Sequence, residues 1–229
     1  MSQHTNAPYF TPQTPLSAQP PLPGRPLPRR DMRDVSGGPS APSATALARP
    51  QIQQDPELAQ RYELLQQLGV PIGPSEEFDE MATAMANEAG FLYGFVNLGL
   101  DKQTFVGLHQ PPADSGYVIV GRTMARDHGW CPEVMTRKKA LPLHDVHASP
   151  RFSGNAVVDS VGIRSYFGAP VIHDSGTVLG TVCVIDPDKR PLSEARRLRD
   201  IVIDAGAQVM DRITRGCVRE MRSNPTREP

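Results

Sequence analysis

The sequence lacks any run of 18 apolar residues, which leaves no candidate membrane-spanning helix, and its N-terminus has no apolar core of a secretory signal, so the expectation is a cytoplasmic protein. Its three cysteines, Cys131, Cys183 and Cys217, are odd in number and widely spaced, which argues against a disulfide framework and suits a reducing compartment. A formal net charge of −1 gives no whole-chain reason to expect nucleic acid, whose binding calls for a basic face. Phosphate-cradling P-loops, GxSxG nucleophile elbows and HExxH zinc helices are all missing, and no kinase or cyclase signature follows the folded region. The expectation is therefore a non-enzyme.

Large aliphatic side chains are nearly absent from the first fifty residues, where prolines from Pro8 to Pro50 crowd together. Such a segment cannot bury enough apolar surface to offset an ordering cost of roughly 1–2 kcal/mol per residue. Residues 1–54 are accordingly expected to be a disordered Pro-rich tail, residues 55–215 a single folded domain, and residues 216–229 a flexible C-terminal tail. Arg25, Arg29, Arg30, Arg33 and Arg49 against Asp31 and Asp34 make the first tail weakly basic. Pro20, Pro23 and Arg25 fit a PxxPxR pattern that so Pro-rich a stretch produces by chance.

Within the domain, Asp55-Pro56-Glu57 reads as a helix cap, and Leu58, Tyr62, Leu65 and Leu68 recur at helical spacing up to Gly69. Ser75 offers a second cap, followed by the apolar stripe Phe78, Met81, Ala82, Met85 and Ala89. From Phe91 the pattern turns β-rich, with one hairpin predicted over 91–98 and 104–109 and another over 165–173 and 177–185, about the turn Asp174-Ser175-Gly176. Between them lie a short strand at 117–120, a helical turn at 131–135, a strand at 141–146 and a long polar loop to Gly162. Ser193 caps a last helix whose apolar face is Leu198, Ile201, Val202, Ala205, Val209 and Ile213. Helices followed by hairpins predict an α+β domain, a central antiparallel sheet with helices packed on it, and the terminal helices offer a seam for a homodimer.

Asp145, the loop Ser149-Pro150-Arg151-Phe152, Asn155, Gly162-Ile163-Arg164, Gly168-Ala169-Pro170-Val171 and the ending Leu179-Gly180-Thr181-Val182-Cys183-Val184-Ile185-Asp186 together resemble the bacterial GAF domain. The resemblance runs over about residues 55–215 and implies a pocket between the sheet and the 147–162 loop, which in other members holds cyclic nucleotides, haem, linear tetrapyrroles or other small molecules. Trp130, Cys131, Asp145, Phe152, Asn155, Arg164 and Tyr166 are its candidate ligand-binding residues. The partner implied is a small-molecule ligand or a signalling protein; the sequence names no cofactor. In the loop, Arg151 can anchor to a carboxylate such as Asp145, Phe152 can act as an apolar lid, and Gly162 and Gly168 allow close backbone approach.

Three other chemistries compete with plain ligand binding. His128-x-x-Cys131 followed by His144-x-x-His147 imitates a metal set, but three-residue spacing on a strand sends the last two to opposite faces. A haem ligand among His109, His128, His144, His147 and His173 is a second. The third is a thiol redox switch or a methionine sulfoxide reductase-like enzyme centred on Cys131, which lies near Arg126 and His128. The reductase branch resembled in fold places a cysteine near the start of the later hairpin, where this chain has Ser165 and Tyr166.

Overall fold

The computed structural model describes residues 55–223, excepting the side chains of residues 156 and 217–223. The expected tail 1–54 lies outside the described residues. Among the described residues, six strands form one antiparallel sheet: β1 (Tyr93–Gly99), β2 (Gln103–His109), β3 (Thr123–Met124), β4 (Leu141–Leu143), β5 (Ser165–Ile172) and β6 (Val178–Asp186), in the order β3-β2-β1-β6-β5-β4. Two hairpins, β1-β2 and β5-β6, thus meet at a central β1-β6 pair, with Phe95 opposite Cys183 and Gly94 opposite Val184. Every residue of β1 and β6 is buried, because both faces of the sheet are covered; that is why these strands read as continuous apolar runs.

Alternation along the strands sends each residue to one of two cores. Val96, Leu98, Phe167, Val182 and Val184 face α2 (Glu76–Ala89) and α6 (Ala195–Ser223), joined there by Leu65 of α1 (Leu58–Gln67). Tyr93, Phe95, Tyr166, Cys183 and Ile185 face the other way, towards α3 (Cys131–Arg137) and α5 (Ala156–Val161). The α2 stripe buries Phe78, Ala82, Met85 and Ala89 as its spacing predicts, contributing about 2 kcal/mol for each large side chain. Close approach needs the missing side chain of Gly107, where a Cβ would lie 2.2 Å from the Phe78 carbonyl oxygen.

Several local expectations give way to longer-range contacts. Helix α1 begins at Leu58, with Glu57 in the cap position; Asp55 Oδ1 accepts the Glu57 amide but its other oxygen pairs with Arg61. Neither Ser75 nor Ser193 closes a side-chain cap: Ser75 precedes α2 without such a bond, and Ser193 lies within a 3₁₀ turn, Leu192–Glu194, ahead of α6. Residues 117–120 form no strand; the short edge strand is Thr123–Met124 instead. The 141–146 strand stops at Leu143, and the expected polar loop is largely helical, with a 3₁₀ turn at Val146–Ala148, α4 (Pro150–Ser153) and α5. Asp145 and Asn155 side chains start the 3₁₀ turn and α5 by accepting the His147 and Val157 amides, a capping role that a pattern of polar residues conceals. Helix α6 continues past residue 215 to Ser223.

Arg61 is a charged side chain buried to 1 % exposure. Its guanidinium donates to the carbonyls of Gly99 and Val178 and pairs with Asp55, so one cation ties α1 to the ends of β1 and β6. Five fixed donors suit such a task, since the two carbonyls and the carboxylate take hydrogen bonds from one planar group.

Candidate functional site

A cavity of about 190 Å³ opens on the α3-α5 side of the sheet. Its floor is built by period-two alternation: Phe95 on β1, Tyr166 on β5, and Cys183 and Ile185 on β6. One wall is the segment from Val120 to Cys131, the other Val157, Ser160 and Val161 of α5. The lining is mainly apolar and aromatic, with His128, Thr123 and Ser160 as exposed polar groups.

The wall segment has little secondary structure, and polar side chains from elsewhere fix it. Gln103 Nε2 donates to the carbonyls of Ala125 (2.9 Å) and His128 (2.6 Å). Asn155 accepts the Gly129 amide at 3.0 Å and donates to the Gly129 carbonyl at 2.8 Å, while its Oδ1 also takes the Val157 amide. These bonds place Trp130, whose ring centroid lies 5.1 Å from that of Tyr166 and whose indole Nε1 donates to the Phe152 carbonyl.

Beneath the cavity is a buried polar cluster. Cys131 Sγ stands 3.7 Å from Cys183 Sγ and 3.6 Å from the Tyr166 hydroxyl. Asn97 Nδ2 contacts Gln103 Oε1 and Thr181 Oγ1, whereas its buried Oδ1 has no hydrogen-bond partner among the described residues. The Cys131 thiol is lowered to about 7, first by the hydrogen bond with Cys183 and then by Thr181, Tyr166 and Asn97, against the opposing effect of burial. Cys183 moves well above the ordinary thiol range because it shares that bond and is buried. Burial, then the adjoining sulfur charge, likewise raises the Tyr166 hydroxyl.

Of the seven candidate ligand-binding residues, Trp130, Cys131 and Tyr166 line the cavity. Asn155 stands behind the wall and holds it through Gly129. Phe152, half-buried, packs on the same core, and its contact with Trp130 is through the backbone carbonyl. Asp145 and Arg164 are not among the lining residues; they form an ion pair at 3.0 Å. Arg151 does not reach Asp145 but pairs with Glu133 at 2.8 Å, its guanidinium 5.3 Å from the Phe152 centroid. Gly162 has open space at its Cβ position and is needed for its positive φ of 74° at the end of α5. Cys183, Phe95, Phe105 and Met124 are cavity residues that the sequence reading did not select. Strand alternation from Tyr93 points to Phe95, but Cys183 joins it only once their pairing is known.

A preformed cavity of about 150 Å³ takes a benzene-sized molecule, and this one, at about 190 Å³, is of that order. Among the described residues, no lysine or arginine lines the cavity to pair with a cyclic nucleotide's phosphate. Among the described residues, no group of three or more His, Cys, Asp or Glu side chains could hold a metal ion, so His128, Cys131, His144 and His147 do not assemble as a site.

The model of the GAF domain matches residues 74–210, more than half of the chain. The chain belongs to the GAF domain family. Its similarity to solved GAF-type structures is distant. The GAF domain of an Acinetobacter phosphoenolpyruvate-protein phosphotransferase is 16 % identical, with 73 % of this chain and 95 % of that one covered and a TM-score of 0.46. A free methionine-R-sulfoxide reductase from Neisseria meningitidis, solved with its substrate, is 14 % identical over 71 % and 89 % of the two chains, also at 0.46. The blue-light absorbing form of the Thermosynechococcus elongatus PixJ GAF domain is 11 % identical over 72 % and 94 %, again at 0.46. No curated protein matches the sequence. Among the described residues of this GAF protein, no helix is long and apolar enough to cross a membrane.

Proposed function

We propose that residues 55–215 are a non-catalytic sensory module that binds a small aromatic or otherwise largely apolar molecule in the cavity beneath Trp130. The carrying observation is the cavity itself: about 190 Å³, walled by aromatic and aliphatic side chains and held in shape by Gln103 and Asn155. Its size and lining suit one ring with few substituents, one of which can meet His128, Thr123 or Ser160 at the exposed side. In this reading the module is a cytoplasmic homodimer that acts on a signalling partner. Helices α2 and α6 supply the seam: Met81, Met85, Ile201, Ala205 and Val209 line a groove between them that a second copy can cover.

Trp130 is the only tryptophan of the chain and lines the cavity, so binding has a built-in reporter. Titrating the purified protein with phenol and with indole, exciting Trp130 selectively in the phenol series and following heat by calorimetry in the indole series, should give saturable binding. Val157→Phe, which fills the cavity, should weaken it at least about tenfold, a loss of about 1.4 kcal/mol. Failure of any small aromatic or aliphatic ring compound to bind saturably would remove the reading. Native mass spectrometry of the same sample decides the dimer separately, since a monomer at all concentrations contradicts the seam without touching the cavity.

A further inference from the structure

Cys131 and Cys183 are 52 residues apart in sequence, one opening α3 and the other in the middle of β6, yet their sulfurs are 3.7 Å apart. They are buried to 4 % and 3 % exposure, and both line the cavity. Both cysteines therefore border the space a small solute would enter. The closing movement to a disulfide bond length of about 2.05 Å is short, and Cys131 sits at the end of a seven-residue helix attached to the irregular wall, where such a movement disturbs little of the sheet.

We propose that Cys131 and Cys183 are a two-electron redox switch, oxidised by a small hydroperoxide that enters the cavity and closing as an intramolecular disulfide. The Cys131 thiolate attacks one oxygen of the hydroperoxide; an S–O bond forms, the O–O bond breaks, and the leaving alkoxide takes a proton to become an alcohol, or water where the oxidant is hydrogen peroxide. Cys183 then attacks the Cys131 sulfenic sulfur: the S–S bond forms, the S–O bond breaks, and the hydroxyl leaves as water with the proton of Cys183. Two thiols and one hydroperoxide thus give one disulfide, one alcohol and one water, each sulfur supplying one electron.

Three arrangements assign the roles. The Tyr166 hydroxyl, 3.6 Å from Cys131, can donate to its thiolate. That contact singles out Cys131 as the attacking sulfur, and the directions agree with it: the Cys131 thiol is the more acidic of the two, whereas Cys183 is held protonated until the second step. Trp130 adjoins Cys131 in sequence, so pulling Cys131 onto β6 moves a cavity wall. The switch is independent of any bound ligand, and an empty cavity that binds no ring compound can still be oxidised.

The test uses the full chain with Cys217→Ser, which removes the third thiol, treated with hydrogen peroxide. Both remaining thiols should be lost together, the mass should fall by that of two hydrogens, and peptide mapping should join Cys131 to Cys183 within one chain; a dithiol reductant should restore both thiols. With Cys183→Ala added, dimedone should label Cys131 as a sulfenic acid and no link should form. Thiols that survive peroxide doses sufficient to oxidise free glutathione overturn the proposal, as does oxidation of Cys131 to a sulfinic acid with Cys183 still reduced. Mapping of the wild-type chain reads the same link without any substitution, so a variant that fails to fold does not shelter the idea.

Discussion

The Tyr166 hydroxyl occupies the space a side chain at residue 168 would need: a Cβ built on Gly168 lies 2.2 Å from it. Glycine here makes room for a neighbouring ring two residues earlier on the same face of β5, and that ring reaches Cys131 and Trp130. Gly168→Ala should therefore push the tyrosine out of place. We expect a loss of about 1–3 kcal/mol from overpacking, read by urea unfolding, together with changed Trp130 emission. The double variant Gly168→Ala with Tyr166→Phe should recover part of the stability, because the clashing hydroxyl is gone.

Arg61→Met should be among the most damaging single changes in the domain. It leaves the Gly99 and Val178 carbonyls without their donor and Asp55 with Arg126 as its remaining close cationic partner. Breaking a buried pair from one side costs about 3–5 kcal/mol, and equilibrium denaturation should show a loss in that range. Arg61→Lys keeps the charge but cannot span the carbonyls and the carboxylate with one planar fork, so it should fall between wild type and Arg61→Met.

Both hairpins and the faces of α2 and α6 were legible because contiguous apolar runs and 3.6-residue spacing are local signals. The 110–130 segment has only the short apolar run at 117–120, which predicts a strand that does not form. Its order comes from Gln103, at the start of β2, and Asn155, before α5, which bind its backbone from far along the chain. Cys183 was legible as a buried strand residue but not as a wall of the cavity, since a strand's period says that two faces exist and not which one meets Cys131. Asp145 and Arg164 flank the right region, yet their mutual attraction satisfies both charges away from the lining. Opposite charges near a pocket in sequence are as readily each other's partners as a ligand's.

Acid should destabilise the domain through its paired aspartates. Asp79 accepts the Leu108 amide and a two-pronged Arg122 contact at 2.9 and 2.7 Å. Burial pushes its carboxyl up, but Arg122 and the Leu108 amide together outweigh this and hold it below the usual range; Asp55 is lowered in the same sense. A lowered folded-state pKa gives stability that is fully present above the unfolded value of about 3.9 and disappears as pH falls through the lower folded value. Urea midpoints should thus change little from this source between neutrality and about pH 5, then fall on further acidification. Asp79→Asn should lower the neutral plateau and flatten the acid limb; an unchanged limb would mean that this pair does not contribute.

Asn155 joins three things that the cavity needs at once: the start of α5, and both backbone groups of Gly129 in the opposite wall. Losing a helix cap costs about 0.5–2 kcal/mol, and the Gly129 bonds add to that, so Asn155→Ala should destabilise by about 2 kcal/mol. Asn155→Asp separates the roles. It keeps an acceptor for the Val157 and Gly129 amides but cannot donate to the Gly129 carbonyl, so α5 should retain its cap while the wall loosens. Thermal unfolding should then place Asn155→Asp, which loses the donor to the Gly129 carbonyl, between wild type and Asn155→Ala. In both variants water should gain access to Trp130, which is 4 % exposed in the wild type, and red-shift its emission. A red shift confined to Asn155→Ala would show that the cap alone, and not the grip on Gly129, keeps the wall in place.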